Sequence, residues 1–195
     1  MKNIDFYFDF GSPYSYMACH RLLQICKNTE AQITWKPMLL GGVFKATGNH
    51  SPMVIPAKAR YCMIDLQRWS KLWHIPMQMN PYFPINTLQL MRLITAIHLY
   101  QPDSFPQAIQ TIFHAMFGEP RNLNDEAEFE TLAKELGLDK REVMTWLSDE
   151  QVKTQLKDVT EEAVARGIFG APTCFYQDEI YWGVDSLHFL ESAID

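Results

Sequence analysis

The chain has 195 residues, 47% of them hydrophobic and 21% charged, with a formal net charge of −6. A chain of this size and balance builds its own core without disulfide or metal staples. The acidic excess argues against a phosphate-backbone partner and excludes nucleic acid as the expected ligand, while a small anionic substrate needs only a few local cations.

Residues 4–10 alternate apolar and acidic side chains and are rich in aromatics, which predicts a first strand. Gly11-Ser12-Pro13 breaks it. Ser12 is a natural N-cap and Pro13 suits the first helical position; Tyr16, Ala18, Leu22, Leu23 and Ile25 then fall near helical spacing. Residues 32–37 read as a second strand, with Ile33 and Trp35 on one face. The opening of the chain is therefore β–turn–α–β, a crossover unit with parallel strands. Residues 41–56 read as loop, because they hold Gly41-Gly42, Gly48-Asn49, Ser51-Pro52 and Pro56. A helix is expected over 58–72, then a Pro-rich irregular stretch over 75–84. Helices over 86–100, 105–118, 125–136, 139–147 and 151–166 follow, the last ending at Gly167. Residues 173–176 and 180–182 form a hairpin, and a last helix opens at Asp185-Ser186-Leu187 and runs to 194.

The cysteines, Cys19, Cys26, Cys62 and Cys174, include no C-x-x-C pair, and the six histidines show no metal-ligand spacing, so no metal is expected. No window of about 18 apolar residues occurs, so no membrane span is expected. Residues 1–6 enter a strand pattern at once, without the apolar stretch of a secretory leader, which reads as a cytoplasmic chain with reduced thiols. Asp65 and Arg68 have the i, i+3 spacing of a helix ion pair. Tyr82 is either a core aromatic or a stacking surface, and Lys58 either a solvated helix lysine or a site cation.

The order βαβ, helical block, αββα, with a breaker after strand one and Gly170-Ala171-Pro172-Thr173 before strand three, resembles the thioredoxin superfamily. More narrowly it resembles the DsbA-like branch of disulfide oxidoreductases, where Cys-x-x-Cys stands in place of Ser12-Pro13-Tyr14-Ser15. With serine in that place, the stretch Phe8-Asp9-Phe10-Gly11-Ser12-Pro13-Tyr14-Ser15-Tyr16 is similar to 2-hydroxychromene-2-carboxylate isomerases and kappa-class glutathione transferases. Further matching stretches are residues 37–44, 48–49, 56–61, 65–69, 80–87 with Met91-Arg92, 167–173 and 182–185.

The resemblance implies an α/β thioredoxin-like fold with a large inserted all-helical domain, the thioredoxin-like part being 1–55 and 151–195 and the insertion 56–150. It implies glutathione as cofactor, a small aromatic substrate and a homodimer. Ser12 becomes the group that activates the glutathione thiol, with Pro13 and Tyr14 in the same turn. A helix N-terminus favours a thiolate and serine itself can make no disulfide, so the same field can instead stabilise a thiolate that a ligand supplies; the alternative is that Ser12 is only an N-cap. Ala171 and a cis Pro172 would hold the cysteinyl part, as an added strand pairs with a free edge. Trp182, Gly183, Val184, Asp185 and Ser186 would hold the γ-glutamyl end at the last helix start. The family often has Asn and Arg where this chain has Val184 and Ser186, so those two side-chain contacts are not carried over. Asn49 and Lys58 would line the cleft, and Lys45, Asn49 and Tyr82 would meet the second substrate. The implied reaction is a glutathione-dependent cis–trans isomerisation in aromatic catabolism. Its rivals are a kappa-type transferase or peroxidase, and a peptide-binding thioredoxin-like module without activity.

Overall fold

In the computed structural model, which describes residues 2–194, four strands line up in the order β2-β1-β3-β4; the chain ends assigned at residues 1 and 195 lie outside that range. β1 (Asn3–Phe8) pairs in parallel with β2 (Gln32–Pro37) and antiparallel with β3 (Thr173–Tyr176), which turns back into β4 (Glu179–Trp182). The crossover between the parallel strands is α1 (Pro13–Thr29). Between β2 and β3 the chain is helical: α2 (Leu40–Thr47), α3 (Pro56–Trp73), α4 (Leu88–Tyr100), α5 (Phe105–Phe113), α6 (Glu126–Glu135), α7 (Lys140–Ser148) and α8 (Glu150–Ala165). The chain closes with α9 (Leu187–Ile194). This is the expected thioredoxin-like fold with a helical insertion.

Alternation along β1 divides the core into two layers. Ile4, Phe6 and Phe8 face one way, into a cluster that includes Leu22 of α1, Ile94 of α4 and Ile109 of α5. Tyr7 faces the other way, against Val43 of α2, Val159 of α8 and Phe175 of β3. Aromatic rings join the sheet to the insertion on the first side. Phe113 lies 4.7 Å from Phe10 and 5.8 Å from Phe8, centroid to centroid.

Two elements differ from the sequence reading. Residues 40–47 form α2, not a loop. Two glycines disfavour a helix by about 1 kcal/mol each relative to alanine, but tertiary contacts override them here. Asp9 accepts from Leu40 N at 2.9 Å, Thr160 Oγ1 accepts from Leu39 N at 3.0 Å, and a Cβ on Gly42 would stand only 3.1 Å from the Thr160 methyl. The predicted helix over 105–118 breaks at Phe113 into a single wider turn, His114–Gly118. His114 lies where a side chain on Gly118 would stand, so any other residue there would displace the His114 ring.

Candidate functional site

Ser12 is the N-cap of α1, in extended backbone, and is 5% exposed. Its Oγ accepts from Ser15 N at 3.1 Å and donates to Ala171 O at 3.1 Å. The first turn of α1 carries no acidic residue, and the acid just before it, Asp9, turns its carboxyl to Gly11 N, Leu40 N and Thr87 Oγ1. The turn entering it is closed by Ser12 N donating to Asp9 O at 3.0 Å. Ser15 is fully buried, and its Oγ has no hydrogen-bond partner among the described residues. An orphaned hydroxyl and a helix start with no acid in its first turn thus lie together, a combination suited to a small anion.

Across from Ser12 the Ala171–Pro172 peptide is cis, as the sequence reading expects. Pro172 O accepts from Gly183 N at 3.0 Å, which ties this loop to the residues after β4. The Phe169 and Trp182 rings meet at 4.9 Å between centroids, tilted by 50°, and both stay partly exposed. Trp182 lies over Gly170, where a Cβ would come within 2.8 Å of Nε1. Asn49 reaches the same loop, its Nδ2 donating to Phe169 O at 2.7 Å. Gly183 takes the left-handed φ of 82°, and Ser186 Oγ donates to Gly183 O at 2.9 Å just before α9. Asp185 is exposed beside it, and Val184 is buried in the core.

The structure therefore brings Ser12, Ala171 and Pro172 into contact and joins them through the main chain to Trp182, Gly183 and Ser186. Asn49 joins them through Phe169. Lys45, in the last turn of α2, and Lys58, in the first turn of α3, are exposed, as is Tyr82, which is therefore no core aromatic. Among the described residues, no side-chain hydrogen bond or ion pair links these three to the Ser12 cluster. Tyr14 turns away toward the insertion, where its hydroxyl donates to Asp65 Oδ2 at 2.9 Å. Trp69 Nε1 donates to the same oxygen at 3.2 Å. Asp65 is thus engaged across the junction and by its own i+4 neighbour, while Arg68 stays exposed; the expected Asp65–Arg68 pair does not form among the described residues. Burial and the Asp65 carboxylate hold the Tyr14 hydroxyl protonated, well above the ordinary tyrosine range.

Three of the chain's thiols are poor nucleophiles. Burial pushes Cys19 up to about 12, Cys26 up to about 11, and Cys174 upward as well. No group of His, Cys, Asp and Glu among the described residues could hold a metal, and no helix among them is long and apolar enough to cross a membrane. A cavity between α6 and α7, lined by Phe129, Val143 and Leu147, contains none of the residues above.

Sequence reasoning missed Asp9, Thr87 and Phe169. Only Asp9 carries a local signal, an Asx-turn two residues before the Gly-Ser-Pro breaker.

The family model for a DSBA-like thioredoxin domain matches residues 3–195. The chain belongs to that family. It is 34% identical over 196 residues to the 2-hydroxychromene-2-carboxylate isomerase of Pseudomonas putida, covering 98% of this chain and 93% of that protein. The solved structure of a 2-hydroxychromene-2-carboxylate isomerase superposes with a TM-score of 0.87 at 31% identity, covering 98% of this chain and 94% of that one. Glutathione S-transferase kappa 1 of Rattus norvegicus is 24% identical, covering 87% of this chain and 79% of that protein. These relatives are enzymes of two kinds, isomerases and transferases.

Proposed function

We propose that this chain is a glutathione-dependent cis–trans isomerase of the 2-hydroxychromene-2-carboxylate type, acting on an aromatic carboxylate in aromatic catabolism. The observation that carries the reading is the Ser12 hydroxyl, a buried donor at the start of α1 against Ala171 O. The high thiol pKa values of Cys19, Cys26 and Cys174 support a borrowed sulfur, and the isomerase relatives at full length support the reaction type.

Bound glutathione supplies a thiol that adds reversibly to a conjugated double bond, permits rotation there and is not consumed. On binding, the Ser12 hydroxyl turns its single hydrogen from Ala171 O to the sulfur anion, and the α1 terminus adds its positive end. Together they lower a thiol pKa of about 8.5 by about one to two units, at about 1.4 kcal/mol per unit. Pro13 and Tyr14 shape the turn. The Ala171 main chain beside Pro172 pairs with the cysteinyl segment. Trp182, Gly183 and Val184 lead into the α9 start, where the Asp185 carboxylate and the Ser186 main chain hold the γ-glutamyl end. Asn49 and Lys58 meet the remaining carboxylate, and Lys45, Asn49 and Tyr82 take the second substrate. In this reading residues 1–55 and 151–195 carry the thiol site, and the insertion over 56–150 contributes to the substrate side.

The same reading makes the protein a cytoplasmic homodimer. Val54, Ile55, Tyr61, Ile64 and Leu72, all exposed on and just before α3, support a self-association face, which light scattering checks.

Ser12→Ala tests the central role. A charge-assisted hydrogen bond is worth about 1.5–3 kcal/mol, so turnover should fall about ten- to a hundredfold, and near-normal turnover removes Ser12 from the mechanism. The names of the kappa relatives favour a second reading, a transferase or peroxidase on the same thiol site. Product without loss of glutathione marks the isomerase, and stoichiometric loss marks the transferase. Absence of glutathione binding by calorimetry leaves only the peptide-binding module.

A further inference from the structure

Asp9 is a carboxyl group with 2% exposure at the C-terminal end of β1, and no cation among the described residues pairs with it. Three donors from three parts of the chain converge on it. Gly11 N donates to Oδ1 at 2.8 Å, from the turn that carries Ser12. Leu40 N, the first amide of α2, donates to Oδ2 at 2.9 Å. Thr87 Oγ1, at the N-cap of α4 in the insertion, bonds to Oδ1 at 2.8 Å. Neither α2 nor α4 has a side-chain cap of its own, so Asp9 stands where the starts of both helices meet the start of α1.

The chemistry of this arrangement demands a carboxyl group. Two obligate backbone donors face its two separate oxygens, so each oxygen must keep a lone pair for an N–H. A carboxyl meets that demand in either protonation state, because the Thr87 hydroxyl can donate or accept. An amide of the same shape cannot, since one orientation turns its NH2 onto Gly11 N and the other onto Leu40 N. Gly11 belongs to the same fit: a Cβ there would stand 3.3 Å from Asp9 Oδ1 and 3.4 Å from the Thr87 methyl. Burial pushes the Asp9 carboxyl upward while the bonds from Gly11, Leu40 and Thr87 pull it back.

We propose that Asp9 is a positioning residue of the thiol site: its carboxyl clamps the turn that carries Ser12 to the starts of α2 and α4, and so aims the Ser12 hydroxyl at a bound sulfur. Asp9 acts only through the turn, and the proposal rests on the reading that Ser12 ionises a bound thiol. It also makes the insertion, through Thr87, part of the machinery that activates the thiol.

The direction of the effect separates positioning from simple electrostatics. An ionised Asp9 near a thiolate opposes it and a protonated one does not, so replacing the carboxyl without moving anything would lower the thiol pKa or leave it unchanged. Loss of the clamp raises it. The experiment titrates the ultraviolet absorbance of the bound glutathione thiolate against pH in wild type, Asp9→Asn, Thr87→Val and Thr87→Ser. Calorimetry with S-methylglutathione, which has no ionisable sulfur, measures anchoring of the peptide alone. In Asp9→Asn the bound thiol pKa should rise by about one unit, a tenfold loss of thiolate at fixed pH below it. S-methylglutathione affinity should stay within about twofold. Thr87→Val should shift the pKa the same way by less, and Thr87→Ser should restore it. Thr87→Val removes one bond and keeps both backbone partners, so it carries the test if Asp9→Asn does not fold. An unchanged or lowered thiol pKa overturns the proposal, as does an equal loss of S-methylglutathione affinity. If wild type itself binds glutathione without ionising it, the thiol-site reading fails first and the Asp9 proposal falls with it.

Discussion

Ser12 does two jobs with one hydroxyl. Its oxygen caps α1 through Ser15 N, and its hydrogen points to Ala171 O across the cleft. The cap alone is worth about 1 kcal/mol, so Ser12→Ala should lower stability by roughly that amount in denaturant titration. The local field can be read without any ligand by installing a sulfur in the chain. In Ser12→Cys the new thiol sits at the helix start, and its alkylation rate should rise with a midpoint below the ordinary cysteine value of about 8.5. Cys19, about two turns further along α1 and pushed up to about 12 by burial, provides the internal contrast, because it shares the helix but not the N-terminus. A midpoint at or above about 8.5 for the thiol introduced by Ser12→Cys would show that this helix start does not favour an anion.

At the scale of elements, the back face of the sheet is held to α8 by one charged network. Glu162 accepts from the Tyr7 hydroxyl at 2.5 Å and from Lys36 Nζ at 3.1 Å. Arg166 donates to Asp5 at 2.6 Å and to the Tyr7 hydroxyl at 2.9 Å, and its guanidinium lies 3.8 Å from the Phe175 ring centroid. Burial opposes ionisation of Glu162, but Tyr7, Lys36 and Arg166 outweigh it and hold the carboxyl below its ordinary 4.5. A depressed carboxylate stabilises the fold fully above its unfolded value, and that contribution fades as pH falls through the folded one. Thermal stability should therefore decline as pH drops below about 4.5, and Glu162→Gln should be less stable at neutral pH with a shallower decline in acid. Melting curves from about pH 7 down to about pH 3 test both; an equally steep decline in the variant would assign the acid sensitivity to other groups. The network borders α2 as well, since Thr160 on the same helix holds Leu39 N.

At the scale of the molecule, one continuous apolar cluster contains sheet residues such as Phe6 and Phe8 together with Leu90, Ile94, Ile109 and Phe113 from the insertion. A shared core predicts one cooperative unfolding transition. Phe113 is the ring that touches both sides, lying near Phe8, Phe10 and Tyr16. Phe113→Ala should cost about 3–5 kcal/mol, the range for a buried aromatic truncation. Calorimetry should show a single lower-temperature peak in that variant, and two separated transitions in wild type would mean that the insertion melts on its own.

The amino-acid sequence by itself carried the strands, the cap at Ser12 and nearly all of the helices, because period, breakers and caps are local properties that short stretches encode. It also carried the family, through the order of many short matches and not through any one of them. Tertiary structure decided the rest. Residues 40–47 are helical because Asp9, Thr160 and the Val43 contact reward a conformation that two glycines disfavour. Asp65 binds Tyr14 and not Arg68 because a partner from another element, already fixed by packing, brings a bond that a solvated i, i+3 pair cannot match. Asp9 shows in the sequence only its local turn to Gly11; only folding places an amide of α2 and a hydroxyl of α4 against it. Local pattern names the residues able to do chemistry, but which of them share a site depends on contacts between segments distant in the chain. Those contacts are set by the packing of the whole core.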